Sequence, residues 1–419
     1  MTETQKPRVL FLAHLLPYPL DGGAKIKSYY TLRKLAEAYE VTLLAFVRSE
    51  DEKRHTAPLR DLCAGGIETV LIRRSRIKNV WDAARLLLLR RSFIVGRDQV
   101  GAMARAVRAR LGGGRYGVVH IDHLQMAQYV LPRRTAAELI LDHHNVESQI
   151  IERMADTTQS RAMRWYANKE WPKLQRYELE VCRAVDQVLT VSAEDARTLH
   201  RLAPDLKNLT PVPIGVDGDY FRPVPRSSES RTLLSIGTMD WPPNVESLLW
   251  FYGSVYPQIR AAVPDVKLNI VGADPVDKIR RLAREDKSVS VSGYVQDVRP
   301  TAADCAAFIV PLRSGSGMRV KILNAMAMAL PVVSTTVGVE GIAATHRKDI
   351  LVADTPDEFA RECIRLLRDP ERGTEIGAAA RKLVEEHYSW EAIGKELLAV
   401  YDHVLQQPSR PPAGVKVAR

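Results

Sequence analysis

The sequence predicts an α/β protein with two doubly wound domains, each built on a parallel sheet. At 419 residues the chain is longer than one hydrophobic core usually organises, so two domains are expected. Short apolar runs alternate with helical patterns along the chain, which is typical of βαβ units. The runs form two series, and the polar stretch at 223–231 separates them.

The first series consists of short runs in which nearly every residue is apolar, as expected of strands covered on both faces. The predicted strands are 9–14, 41–46, 69–73, 117–122, 139–144 and 187–192. Helical patterns lie between them. The longest extends over about 158–185, and Pro172 predicts a kink in it.

The second series has the same character. Its predicted strands are 232–237, 267–272, 289–294, 307–311, 331–336 and 349–353. The domains are expected to join near 205–230, and a last helix follows at about 390–405. Ligands of such sheets bind beyond the carboxyl ends of the strands, so we expect a ligand cleft between the domains.

Composition and cysteine usage indicate the compartment. An apolar fraction of 46% with 26% charged residues is ordinary for a soluble globular protein. The four cysteines are far apart, which argues for a reducing cytosol and against a disulfide framework or a thiolate zinc site. The first apolar stretch lacks a signal-peptide layout, and no run approaches about 18 apolar residues. These features predict a cytoplasmic protein.

The net charge of +10 is concentrated at 73–115, where 12 Lys and Arg residues stand against two acidic residues. Within this segment, 79–91 combines Trp81 and four leucines with basic residues. One interpretation is a helix on an anionic membrane surface, on the inner face of the cell membrane. The other is a core-packed helix with a solvated basic face. No nucleic-acid-binding module accompanies the charge, so no nucleic acid partner is predicted.

The most informative stretch is 311–336. A strand end leads into a Gly/Ser-rich loop at 314–317, and then into a helix with Arg319 and Lys321 near its start. Free backbone N–H groups, a helix N-terminus and two cations suit a diphosphate. The two cations are two residues apart and do not share a helical face, so Arg319 must lie at the helix start or just before it. Cations at this end oppose the helix dipole, which favours a bound anion over a merely solvated basic turn.

This stretch resembles the nucleotide-sugar site of glycosyltransferase family 4, and the resemblance covers almost the whole chain. It implies two Rossmann-like domains of the GT-B type and a retaining transfer of a sugar from a UDP-, GDP- or dTDP-sugar to an acceptor hydroxyl. It implies no metal and no other cofactor. The implied domains are an acceptor-binding domain at 1–220, a nucleotide-sugar domain at 221–388, a helix at 389–406 that packs back on the first domain, and a disordered tail at 407–419.

The resemblance implies that Arg319 and Lys321 bind the departing diphosphate and stabilise its negative charge. In the family, two glutamates eight positions apart usually flank this helix, and here these positions hold Ser316 and Asn324. Loops of the form SGSGMRVKIL occur in a branch that lacks the first glutamate, so Asn324 is the departure. It loses a charge-assisted acceptor for the donor's ribose, which predicts weaker donor binding or a different nucleotide. The implied donor-binding residues are Gly22, Gly23, Gly237, Tyr294, Val295, Ser316, Gly317, Met318 and Asn324.

Two of these donor stretches have specific expectations. Many family members carry an Arg and a Lys just after the glycine at the Gly237 position, whereas this chain has Thr238 and later Asn244. The negative charge of the donor phosphates would therefore be balanced mainly by Arg319 and Lys321. The turn with Tyr294 resembles one that brackets the nucleobase, although such a strand end also serves packing alone. In the first domain, 21–23 is expected to turn with positive φ and to leave a helix N-terminus open.

Polar side chains cluster at the ends of two strands that are expected to be neighbours. They are His120, Asp122, His123, Asp142, His143, His144 and Asn145. These residue types suit zinc or manganese, but residues alternate sides along a strand, and an acceptor and sugar pocket is preferred. The resemblance implies a catalytic histidine at this strand end. Asp122 takes its place with His123 beside it, so both stay candidates, and the acceptor-binding candidates are His143, His144 and Asn145.

The stretch 217–219 matches the D-x-D pattern of metal-dependent glycosyltransferases, but its surroundings resemble the interdomain segment of family 4, and we interpret it as a structural turn. The predicted partners are a nucleotide sugar and an acceptor, which would be a glycan, a lipid-linked saccharide or an aglycone. The predicted role is bacterial cell-surface glycan or glycoconjugate synthesis. The alternatives are transfer to a soluble natural-product acceptor and a non-catalytic member that binds a nucleotide sugar.

Overall fold

The chain folds into two compact units. A computed structural model gives the structure and describes residues 6–72, 91–131, 135–158, 160–315 and 317–406. The first unit contains the chain up to Pro213 and again from Gly394, and the second is Ile214–Ile393. The chain therefore changes unit after residues 213 and 393, whereas the sequence places these changes at 220 and 388. The ligand cleft expected between the domains stays a prediction.

The first unit is built on a parallel sheet of seven strands in the order β3-β2-β1-β4-β5-β6-β7. The strands are β1 Arg8–Ala13, β2 Glu40–Val47, β3 Ile67–Leu71, β4 Val118–Asp122, β5 Glu138–His143, β6 Gln187–Thr190 and β7 Leu209–Pro211. The first six confirm the predicted strands. The sequence does not reveal β7, because it has three residues, ends in proline and is only partly buried.

The helices of this unit cover the sheet. They are α1 Gly23–Ala38, α2 Phe93–Gly96, α3 Gly101–Leu111, α4 Glu147–Thr157, α5 Arg161–Ala184 and α6 Ala193–Leu202, with 3₁₀ turns at Asp51–Leu62 and Leu124–Tyr129. The long helix predicted at 158–185 corresponds to α5, which contains Pro172. The Ser160 hydroxyl caps α5 by accepting from the backbone N–H of Met163.

The second unit repeats this plan with six parallel strands in the order β10-β9-β8-β11-β12-β13. They are β8 Thr232–Ile236, β9 Lys267–Val271, β10 Val289–Ser292, β11 Ala307–Val310, β12 Val332–Ser334 and β13 Leu351–Val352, and all six confirm predictions. The helices are α7 Pro242–Trp250, α8 Tyr256–Ala262, α9 Asp277–Glu285, α10 Arg299–Ala303, α11 Val320–Ala327, α12 Thr336–Val339, α13 Pro356–Arg368 and α14 Pro370–His387, with a π-helical turn at Phe251–Val255.

The last helix, α15 Trp390–Gln406, carries the chain back into the first unit. There the hydroxyl of Tyr401 lies 2.6 Å from Nδ1 of His120 on β4, and both side chains are fully buried. Tyr39, which follows α1, donates from its hydroxyl to Asp402 over 2.9 Å. The end of α15 thus packs into the core behind β4.

Each sheet has one point where the strand order reverses. It lies between β1 and β4 in the first unit and between β8 and β11 in the second. In doubly wound folds, ligands bind beyond the carboxyl ends of the strands at this point. No helix within the described ranges is long and apolar enough to cross a bilayer.

Candidate active site

The predicted diphosphate loop of the second unit lies at the carboxyl end of β11. Helix α11 begins at Val320, and Arg319 is its N-cap residue, which confirms the predicted place just before the helix. Gly315 and Gly317 have positive φ (117° and 81°), a conformation that glycine adopts at little cost. The Arg319 side chain is buried, and its Nη1 donates to the carbonyl of Gly317 over 2.5 Å. Ser316 lies outside the described residues.

Lys321, in the first turn of α11, is linked by hydrogen bonds to the start of α7 and through it to the loop after β8. Its Nζ donates to Oδ1 of Asn244 over 3.0 Å, and Nδ2 of Asn244 donates to the carbonyl of Thr238 over 2.8 Å. Burial, helped by the charge of Arg319, lowers the pKa of Lys321 to about 8. Two cations held this close repel each other, and an anion beside them would relieve that repulsion.

Gly237, the first residue after β8, allows this close approach. A Cβ atom there would lie 2.9 Å from Nζ of Lys321 and 2.9 Å from Nδ2 of Asn244. A shallow pocket opens beside these groups, between the ends of β8 and β11. Its lining includes Ser235, Met239, Asn244, Leu248, Leu312 and Lys321.

The other predicted donor residues are distributed around this point. Asn324 follows Lys321 by almost one helical turn and is partly buried, as is Gly317, while Met318 is buried. Tyr294 follows edge strand β10, and 78% of its surface is exposed, with Val295 partly buried beside it. Their donor contacts stay predictions.

In the first unit, Gly22 is the N-cap residue of α1 with φ −161° and ψ 153°. The predicted positive φ is therefore wrong for Gly22, and Gly23, the first residue of α1, has no positive φ either. The physical reason is that an N-cap residue takes an extended conformation. The expected open space is present, because a Cβ at Gly22 would meet nothing within 4 Å.

Asp122, at the end of β4, is fully buried and surrounded by donors. The Ser28 hydroxyl of α1 donates to it over 2.9 Å, Nε2 of His144 lies 2.8 Å from Oδ1, and Nδ1 of His123 lies 3.2 Å from Oδ2. Burial would raise the pKa of Asp122, but the two histidines outweigh burial and hold this pKa well below its usual range. Asp122 is thus an internal anion that positions its neighbours.

Asp142, at the end of neighbouring strand β5, forms a buried ion pair with Lys27 of α1. Burial acts to raise the pKa of Asp142, but the Lys27 ammonium together with His144 and His120 outweighs burial, so the pKa is lowered. His120 lies on the same side, with Nε2 3.8 Å from Oδ2 of Asp142. Removing one partner of such a buried pair would leave the other charge uncompensated.

His123 differs from its neighbours in its backbone. It has φ 78° and ψ 146°, which is strained for a residue with a side chain and is characteristic of functional sites. Its ring stacks on that of His144 at 3.8 Å, and 11% of the side chain is exposed. Burial acts to lower the pKa of His123, but the Asp122 carboxylate outweighs it and raises the pKa. Of the two predicted candidates, only His123 reaches the surface, because Asp122 is fully enclosed.

Of the predicted acceptor residues, His143 and His144 have buried rings. His143 is buried, with Nε2 3.0 Å from Oε1 of Glu178 on α5, and that carboxylate also accepts from Ser148 and the backbone of Glu147. Burial lowers the pKa of His144 to about 4, so its ring is neutral at pH 7. Asn145 is partly buried. The acceptor contacts of all three stay predictions.

Two overlapping groups in this cluster have the chemistry of metal ligands. One is Asp122, His123 and His144, the other is His120, Asp122 and Asp142, and the ligand atoms of each group lie within 4.8 Å of one another. The donor types fit a divalent ion, although the Lys27 ammonium already neutralises Asp142.

The D-x-D stretch is a turn in the second unit. Oδ1 of Asp217 accepts from the backbone N–H groups of Asp219 and Tyr220 at 3.1 and 3.0 Å. This is an Asx turn, as the sequence predicts.

Sequence reasoning missed several groups that support these sites. They are Lys27, Ser28, Glu178, Asn244 and Tyr401. The spacing of Lys27 and Ser28 after the glycine pair could have placed them in the second turn of a helix that begins at that pair. Nothing in the local sequence links Tyr401 to β4.

Comparison with known proteins identifies the second unit. The family model for glycosyl transferases group 1 matches residues 230–369. The second unit of this chain therefore contains a glycosyl transferases group 1 domain. The predicted family type and enzyme class are therefore confirmed at this level.

Two relatives resemble this glycosyltransferase to different extents. An uncharacterized 44.6 kDa protein in the cps region of Klebsiella pneumoniae is 22% identical over 401 residues, which cover 91% of this chain and 96% of that protein. The GDP-mannose-dependent monoacylated alpha-(1-6)-phosphatidylinositol monomannoside mannosyltransferase of Corynebacterium glutamicum is 32% identical over 209 residues. That match covers 44% of this chain and 54% of the mannosyltransferase, so it spans about half of the curated enzyme.

Solved structures establish the fold. Sucrose-phosphate synthase from Thermosynechococcus elongatus has a TM-score of 0.70 at 18% identity, over 96% of this chain and 99% of its own. Anabaena HepE in complex with UDP has a TM-score of 0.67 at 12% identity, over 94% of this chain and 100% of its own. The glycosyltransferase thus has the predicted GT-B fold.

Proposed function

We propose that this glycosyltransferase moves a sugar from a nucleoside-diphosphate sugar to an acceptor hydroxyl with retention of configuration. The observation that carries the proposal is the pair of cations at the start of α11. Arg319 caps the helix, Lys321 lies in its first turn, and the absence of a side chain at Gly237 lets the Lys321 ammonium approach the end of β8. A helix N-terminus with two cations is suited to the diphosphate of such a donor.

The chemistry needs little more than charge and position. As the bond from the anomeric carbon to the diphosphate oxygen breaks, Arg319, Lys321 and the N-terminus of α11 stabilise the negative charge on the leaving group. The acceptor oxygen forms its bond to the same face of the anomeric carbon. The hydroxyl proton passes to an oxygen of the departing diphosphate, so no enzyme base and no metal is required.

In the first unit we assign sugar and acceptor recognition to His123. Its strained backbone and partly exposed ring support this role, and the buried Asp122 holds the ring in place. Because no metal step is needed, EDTA should leave the activity unchanged. Loss of activity with EDTA, restored by zinc or manganese, would instead favour a metal held by the Asp–His cluster.

For the substrates, we propose GDP-mannose as the first donor to test, with UDP- and dTDP-sugars beside it, and a lipid-linked or membrane-proximal acceptor in bacterial surface-glycan synthesis. The Corynebacterium relative is named for GDP-mannose and a phosphatidylinositol mannoside, and the Klebsiella relative for the cps region. A soluble natural-product acceptor is the alternative. An acceptor screen with lipid-linked saccharides and soluble aglycones separates the two.

We also propose peripheral attachment to the inner face of the cell membrane through 73–115. Residues 73–90 lie outside the described part of the chain. In α3, Met103 and Val107 are buried while Arg105 and Arg108 are exposed, so this helix has a basic outer face. Binding to anionic vesicles at low salt, lost at high salt, would support attachment. A protein that ignores such vesicles would refute it.

Release of free nucleoside diphosphate from a panel of sugar nucleotides tests the activity. Lys321→Met should reduce donor turnover at least tenfold, because it removes the ammonium that stabilises the negative charge on the leaving group. Lys382→Met is the matched control, since its side chain is 75% exposed on α14 and should leave turnover unchanged. Equal loss in both variants would contradict the assignment.

A second candidate is a member that binds a nucleotide sugar without turnover. Asn324 in place of an acid and Thr238 in place of a cation favour it. Donor binding in a thermal-shift assay, with no diphosphate release from any donor or acceptor, would replace the enzyme by this binding role.

A further inference from the structure

A second Asp–His pair lies beside His123. His14 directly follows β1, and its Nε2 lies 3.0 Å from Oδ2 of Asp98, whose side chain is 1% exposed. The carbonyl of Asp98 accepts a hydrogen bond from the Tyr129 hydroxyl, so the residue is anchored at both its backbone and its carboxylate. The His14 side chain itself is 15% exposed.

The sheet brings the two pairs together. Strands β1 and β4 are hydrogen-bonded neighbours, and Ala13 is in register with Asp122. His14 and His123 are the next residues of their strands, and their ring centroids lie 5.6 Å apart at an interplanar angle of 50°. Each ring therefore has a buried carboxylate on one nitrogen: Asp98 at Nε2 of His14, and Asp122 at Nδ1 of His123.

The second nitrogen of each ring remains for a ligand. Within the described residues, no hydrogen bond or ion pair is made by Nδ1 of His14 or Nε2 of His123, and neither is among the enclosed polar atoms. The hydrogen bond to Asp98 fixes the orientation of the His14 ring, and the nearby Asp122 carboxylate and the stacked His144 ring hold that of His123. A hydroxyl group can donate one hydrogen bond and accept another, so it can bridge two neighbouring ring nitrogens.

We propose that His14 and His123 together bind a carbohydrate hydroxyl, with Asp98 and Asp122 as positioning residues. This inference rests on the proposed transfer function and adds His14 and Asp98 to its sugar-binding site. The hydroxyl belongs either to the sugar of the donor or to the acceptor, because both present the same group. His14→Phe keeps a planar ring and removes both nitrogens.

The test measures KM and kcat with the nucleotide sugar that the wild type hydrolyses fastest. Loss of one hydrogen bond predicts a KM about tenfold higher for His14→Phe, with kcat within threefold. If the hydroxyl is that of the donor, KM rises in donor hydrolysis without acceptor. If it is that of the acceptor, only the acceptor KM rises in the transfer reaction. Asp98→Asn should move the same KM in the same direction, and His387→Phe, at an exposed site on α14, should move neither.

Failure of the proposed function and failure of the hydroxyl site give different results. A wild type that neither binds nor hydrolyses any nucleotide sugar refutes the proposed function itself. A working wild type whose His14→Phe and Asp98→Asn variants keep both KM values within twofold refutes only the hydroxyl site. If His14→Phe has a lower melting temperature than His387→Phe by more than about 5 °C, the KM of Asp98→Asn alone decides.

Discussion

Donor affinity should fall as the pH rises from 7 to 9, because Lys321 must be charged to hold the diphosphate. In the free protein, burial and Arg319 lower its pKa to about 8, from an ordinary value of 10.5. A bound diphosphate places negative charge beside Nζ and moves this pKa back up. At pH 9 the ammonium is therefore mostly lost in the free protein and retained in the complex, so binding takes up a proton and weakens as the pH rises.

The magnitude follows from the titration of one group. With a pKa of about 8, Lys321 is about 90% charged at pH 7 and about 10% charged at pH 9. If the complex stays charged over this range, the apparent Kd rises about tenfold between the two pH values, which is about 1.4 kcal/mol. Below pH 7 the apparent Kd should no longer change with the pH.

Isothermal titration calorimetry with a sugar nucleotide at pH 7, 8 and 9 measures this change. Two buffers of different ionisation enthalpy should report about half a proton taken up at pH 8. Lys321→Arg stays charged throughout and is the matched control, with a Kd that does not follow the pH. A wild-type Kd that changes less than threefold, in parallel with the arginine variant, would refute the reasoning.

Three further changes test other parts of the molecule. Asn324→Glu should raise donor affinity by restoring a charged acceptor for the ribose, and a tenfold loss in calorimetry would show that the site is built around the amide. Gly272→Ala would place a Cβ 1.8 Å from the carbonyl oxygen of Gly237 and should lower the free energy of unfolding in urea by about 1–3 kcal/mol. Gly253→Ala is its control, because a Cβ there meets open space in a helix and should leave the free energy of unfolding unchanged or slightly raised. Glu178→Ala should cost about 3–5 kcal/mol in the same assay, because it removes the buried partner of a histidine and of backbone N–H groups; a change below 1 kcal/mol would contradict that role.

Every strand except β7 was predictable, because each of the others is a short apolar run that ends where polar residues begin. The position of Arg319 just before α11 was predictable too, since helical periodicity alone separates it from Lys321. The expected positive φ at Gly22 failed for a local reason: glycine permits such a turn but does not require it, and here the residue caps α1 in an extended conformation.

The contacts that position the site were not predictable from one sequence. Lys321 and Asn244 are 77 residues apart, Lys27 and its carboxylate partner are 115 apart, and Tyr401 and its histidine partner are 281 apart. Periodicity reports which face of an element is buried, but it does not report which distant residue lies against that face. Buried ionic partners of this kind emerge only when the sheet order is known.

The division of the first unit into two stretches of chain has a consequence for biosynthesis. During translation, residues up to 213 leave the ribosome first, Ile214–Ile393 follows, and the part of α15 that belongs to the first unit, from Gly394 onwards, emerges after both. The second unit is one uninterrupted stretch and can fold as soon as it emerges. The buried contact between Tyr401 and His120 behind β4 can therefore form only after the second unit has emerged. An expression fragment that stops at residue 213 would lack this contact, whereas a fragment of 214–393 would keep all six strands of its sheet.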